Sequence, residues 1–69
     1  MKVFLVEVIT LKNETAKAIT EKESYEAALM ALYQSMASAI ANKDVKKAAA
    51  AIIDDSGIAL KNEIWTRTE

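Results

Sequence analysis

The side chains in this chain best suited to acid–base chemistry or to magnesium are the carboxylates Asp44, Asp54, Asp55, Glu63 and Glu69. Their setting argues for a plainer role. Asp54 and Asp55 stand immediately before Ser56 and Gly57, a combination that closes hairpin turns. The 69 residues include no histidine and no cysteine, so a Ser–His dyad and a thiol nucleophile are both impossible. The usual ligands of zinc and haem are missing for the same reason. With Gly57 as the only glycine, no glycine-rich phosphate loop can form. No catalytic residue, metal site or cofactor is expected, and the chain reads as a non-enzyme.

Binding chemistry has two candidates. Lys43, Lys46 and Lys47 form a cationic cluster, and Phe4, Tyr25, Tyr33 and Trp65 offer rings on which bases could stack. That is the signature of a single-stranded nucleic-acid binder, the alternative reading of this sequence. It is disfavoured because lysines near a helix C-terminus complement its dipole and Tyr25 fits a core stripe. A net charge of −1 also gives no general attraction to nucleic acid or to an anionic membrane. The second candidate is a protein-binding patch of Lys61, Glu63, Trp65 and Arg67 on alternate positions of one strand. Trp and Arg are common interface anchors, although a sheet tryptophan covered by lysine stems would have the same spacing.

These residues must be positioned by one small domain spanning residues 1–69. Hydrophobic residues make up 52% and charged residues 28%, a balance that folds rather than stays disordered. A chain of this length buries only about 60% of its unfolded surface, so a lone monomer is marginal. Disulfides and structural zinc are excluded, which leaves self-association as the available reinforcement. No secretory signal and no run of about 18 apolar residues is visible, so no membrane segment is expected. The lack of cysteine fits a cytoplasmic protein.

The patterning predicts the order ββαββ, an α+β fold with a four-stranded, mostly antiparallel sheet and one helix across one face. The first strand, about 2–12, carries Phe4, Val6 and Val8 on one side and Val3, Leu5, Ile9 and Leu11 on the other, interrupted by Glu7. A strand apolar on both sides belongs inside a sheet. Lys12, Asn13 and Glu14 form a turn, with Asn13 suited to positive φ. The second strand, about 15–21, is polar enough for an edge. Residues 45–54 contain Ala48 to Ala51, so helix competes with strand there. Val45, Ile52, Ile53 and the following turn favour a strand. The last strand, about 58–67, groups Ala59 with Lys61, Glu63, Trp65 and Arg67. We expect the first strand beside the last, running parallel, with Trp65 and Ala59 on the face away from the helix.

The helix, about 24–42, begins at Ser24, or at Thr20 if Glu23 completes a capping box. Its core stripe is Tyr25, Leu29, Leu32, Met36 and Ile40, with Ala28 and Ala39 beside it. Its remaining positions are unusual, because Glu26 is the only charge between Tyr25 and Ala41. A helix on a sheet normally shows water a charged face. Here Ala27, Met30, Ala31, Gln34, Ser35 and Ser38 are small, neutral or soft, and they are the candidate self-association residues. A homo-oligomer is expected, with a dimer favoured by symmetry, and an unknown protein partner fits the same surface.

In order and length, the elements carried by Lys2–Ile9 and by the turn and strand Asp54–Thr68 resemble the immunoglobulin-binding domain of streptococcal protein G, a β-grasp-like unit. Antibody binding is not implied, because that domain's helix has a charged outer face and this one does not. The chain also resembles small proteins of Gram-positive bacteria and their prophages, which implies a phage-derived accessory role.

Overall fold

A computed structural model describes residues 2–68. Strand β1 spans Val3–Leu11, β2 Thr15–Lys22, helix α1 Tyr25–Ala41, β3 Val45–Asp54 and β4 Ala59–Thr66. The order is ββαββ, and every pairing in the single sheet is antiparallel. Residues 45–54 are a strand, despite four consecutive alanines. Ser24 is the helix N-cap, its hydroxyl accepting the backbone N–H of Ala27 at 3.1 Å.

Strands lie in the order β2-β1-β3-β4. The first strand is central as expected, but its inner neighbour is β3 and not β4. The expected parallel pair of first and last strands is therefore replaced by the antiparallel pairing of β1 with β3. Since β2 and β3 both run against β1, α1 is the crossover that carries the chain from one side of β1 to the other. At about 1.5 Å per residue, 17 residues of helix reach roughly 25 Å, close to the length of the strands it recrosses. The β1–β2 turn closes with the Leu11 N–H donating to the Glu14 carbonyl at 2.7 Å. Asn13 does not take the positive φ expected of it, since among the described residues only Gly57 does.

One side of the sheet carries the core. Val3 and Leu5 of β1 and Ala50 and Ile52 of β3 are buried with Ala28 and Leu32 of the helix. A second cluster joins Ala39, Val45 and Ala48, with Ile9, Leu11, Met36 and Trp65 against it. Alanines on β3 let the helix approach closely, and the helix accordingly packs mainly over β3 and β1 and only marginally over β2. The buried stripe runs through Ala28, Leu32 and Ala39 with Tyr25, Leu29, Ala31 and Met36 packed at its edges. Ile40, expected on that stripe, is 48% exposed. It stands four residues after Met36, and each such step rotates about 40° further around the helix, away from the axis of Leu32 and Ala39.

The β3–β4 turn uses Asp54 structurally. Asp54 Oδ1 accepts the N–H groups of Ser56 and Ile58, each at 2.9 Å, and Gly57 sits at φ +84°. A side chain added at Gly57 would meet nothing within 4 Å. Gly57→Ala should therefore lower stability by about 1 kcal/mol, entirely through left-handed backbone strain. Urea unfolding should show a lower midpoint with an unchanged slope; an unchanged midpoint would mean that the turn relaxes freely.

Candidate interaction surfaces

Strand β4 carries a bulge at Leu60, because Ile52 pairs with Lys61 while Ile53 pairs with Ala59. A bulge shifts the face alternation by one residue. Ala59 therefore shares a face with Ile53, whereas Lys61, Glu63 and Trp65 stand beside Ile52, Ala50 and Ala48 on the helix side. The expectation that Trp65 and Ala59 share the face away from the helix is corrected: Trp65 packs against the cluster of Ala39, Val45 and Ala48.

The four residues of the β4 patch do come together, largely in contacts within the fold. Lys61 Nζ lies 3.3 Å from Glu63 Oε2 and 5.8 Å from the centre of the Tyr33 ring. Hydrogen bonding to Glu63, then to Tyr33, holds the Lys61 pKa above its ordinary value. The Arg67 guanidinium lies over the Trp65 ring at 4.7 Å. It also donates to the carbonyls of Val45 at 2.9 Å, Ile40 at 3.1 Å and Asn42 at 3.0 Å. The last turn of α1 has no basic residue of its own. Arg67 supplies that charge from the far end of the chain, donating to the Ile40 carbonyl and, beside the Val45 N–H, to the Asn42 carbonyl at the end of the helix.

Of the helical self-association candidates, Ala27, Met30, Gln34 and Ser38 are exposed. Ala31 and Ser35 are half-buried and turn toward the sheet: Ala31 packs on the core, and the Ser35 hydroxyl donates to Glu7 Oε1. That hydrogen bond explains how a carboxylate is accommodated in the middle of an apolar strand. It forms on the floor of an open groove of about 490 Å³ between α1 and strands β1 and β2, lined also by Thr20, Gln34 and Ser38. The opposite flank of the helix exposes Met30, Tyr33 and Ile40.

The lysines and rings of the nucleic-acid reading do not share one surface. Trp65, Tyr25 and Tyr33 stand on the helix side, whereas Phe4 and Lys47 occupy the other face of the sheet. Among the described residues, no group of three or more carboxylates converges where a cation could be held. Glu69 lies outside the described residues. No helix among them is long and apolar enough to cross a membrane.

A broad apolar surface lies on the side of the sheet away from α1. Register sets Ile19, Val6 and Ala51 in one row, Lys17, Val8, Ala49 and Ile64 in the next, and Glu21, Phe4, Ile53 and Ala59 in a third. Among the described residues no element lies over this face. Ile19 is 71% and Ile64 62% exposed, and Phe4, Val6 and Val8 are shielded only by neighbouring strands. The sequence shows this face as the even-numbered side of β1, but α1 could have covered either side. No protein-family model, no curated protein and no solved structure matches the chain.

Proposed function

We propose that this chain is a small non-catalytic binding or accessory protein that works as a homo-oligomer, with a dimer as the favoured unit. The observation that carries this reading is the open sheet face, where branched apolar side chains from all four strands meet water. Contiguous apolar area of that extent marks an interaction surface. A 69-residue chain without cysteine has few other ways to add to a thin core. A non-catalytic role is supported by the lack of histidine and cysteine and by carboxylates engaged in a turn, in a pair with Lys61 and under Ser35. A cytoplasmic, phage-derived accessory protein fits the resemblance to small proteins of Gram-positive bacteria and their prophages.

Sedimentation equilibrium at micromolar concentration tests the reading. The expected mass is twice that of one chain. A single species of monomer mass up to the highest soluble concentration would overturn it.

A further inference from the structure

The open sheet face, the polar groove beside Glu7 and the outer flank of α1 are the three surfaces able to take a partner. The groove's one carboxylate is already engaged by Ser35, and the helix flank presents a narrow stripe of Met30, Tyr33 and Ile40. The sheet face is larger, and its charges are arranged in a way that selects its occupant. Four strands about 4.8 Å apart and about eight residues long give roughly 500 Å² per copy, so two stacked copies bury about 1,000 Å², the lower limit for a specific interface.

Two charges on β2 border this face, Lys17 and Glu21. They stand two residues to either side of Ile19, at equal distance from the row Ile19–Val6–Ala51–Asn62. We propose that two copies stack face to face about a two-fold axis running across the strands at that row, setting Lys17 of each copy against Glu21 of the other. The inference rests on the homo-oligomer reading above and specifies its geometry. Under this symmetry each strand lies over its own counterpart, with the two directions reversed. Val8 then faces the partner's Phe4, Ala49 the partner's Ile53, and Ile64 the partner's Ala59, so in two of these three contacts a large side chain meets an alanine. Lys47 comes level with the end of the partner's β3, where the turn carrying Asp55 begins.

The other in-plane axis, parallel to the strands between β1 and β3, fits worse. It would set Lys17 over the partner's Ile64 and Glu21 over the partner's Ala59, leaving charges on apolar surface without an opposite partner. Among the described residues Glu21 pairs with Lys2, at 3.7 Å and largely in water. It therefore remains available to a second cation. Sheets stacked in this aligned fashion sit about 10 Å apart with their strands about 30° askew, a displacement at the β2 edge that long lysine and glutamate side chains can span.

Charge reversal tests the geometry. Lys17→Glu and Glu21→Lys should each weaken the dimer at least about tenfold in sedimentation equilibrium, since each replaces two attractive contacts with two repulsive ones. The combined K17E/E21K variant should regain dimerisation. Both positions are exposed, and circular dichroism checks that every variant stays folded. A dimer that survives both single reversals, or one not rescued by the pair, overturns this geometry. If Met30→Lys then dissociates that dimer, the copies pair through their helices and the homo-oligomer reading stands. A wild-type chain that sediments only as a monomer overturns both.

Discussion

Leu32→Ala should remove roughly 3–5 kcal/mol of stability, the largest loss expected from any single truncation in this fold. Leu32 is fully buried at the centre of the helix's contact with the sheet, among Val3, Leu5, Ala28, Ala50 and Ile52. Four of the buried positions in the two core clusters, Ala28, Ala39, Ala48 and Ala50, are alanines on β3 or α1, and their short side chains cannot reach into the space a missing isobutyl group would leave. A cavity that cannot collapse carries the full penalty. For a domain of this size total stability is of order 3–10 kcal/mol, so the variant should be largely unfolded or cooperative only at low temperature. Ile52→Val, at an equally buried site, should cost only about 1 kcal/mol and gives the graded comparison. Chemical denaturation followed by far-ultraviolet circular dichroism measures both. A loss below 1 kcal/mol for Leu32→Ala would mean that α1 does not dock as described. If the folded unit is a dimer, the midpoints of both variants will also rise with protein concentration.

Arg67→Ala should cost about 2–4 kcal/mol, although the residue lies beyond the last strand. The guanidinium satisfies the carbonyls of Ile40, Asn42 and Val45 and covers the face of Trp65. Hydrogen bonds from a charged donor contribute about 1.5–3 kcal/mol apiece when isolated, but three that share one group do not add. Arg67→Lys should restore little. An ammonium is a compact point charge and cannot span three carbonyls in the fixed fork that a guanidinium provides. The single tryptophan gives a direct readout: its emission should shift to the red in both variants as water reaches the ring. If Arg67→Ala were isoenergetic with wild type, or Arg67→Lys were equivalent to Arg67, the strap between β4 and the end of α1 would not be stabilising.

Arg67 also shows why residues grouped by their spacing can share a surface and yet be engaged with distant parts of the same chain. The alternation Lys61, Glu63, Trp65 and Arg67 was legible as one surface, and the structure does gather these side chains. Their contacts are with Tyr33, Val45, Ile40 and Asn42, 22 to 28 residues away along the chain and close only because β3 and β4 pair. An arginine that anchors a partner and one that caps a distant helix have the same neighbours in sequence. The helical candidates divide for a related reason. Ala27, Met30, Ala31, Gln34, Ser35 and Ser38 are equally neutral, so composition could not separate Ala31 and Ser35, which turn toward the sheet, from the four that stay exposed. Glu7, the one charge inside the apolar first strand, was the available signal that a polar residue of the helix had to meet it.

By itself the sequence determined the local elements. Side-chain period, the Ser24 cap and the Asp54–Gly57 turn are encoded within a few residues, and each element lies where that spacing predicted to within about two residues. It also placed β1 inside the sheet and β2 at an edge, because an apolar pattern on both faces cannot be left at a margin. Only the tertiary structure decided three matters. It paired β1 with β3, since two different strand orders satisfy the same element pattern and differ only in non-local hydrogen bonding. It put Trp65 under the helix, because one bulged residue at Leu60 reverses the face of everything after it. It also left the Phe4–Val6–Val8 face open, because a single helix can cover only one side of a sheet whose central strands are apolar on both.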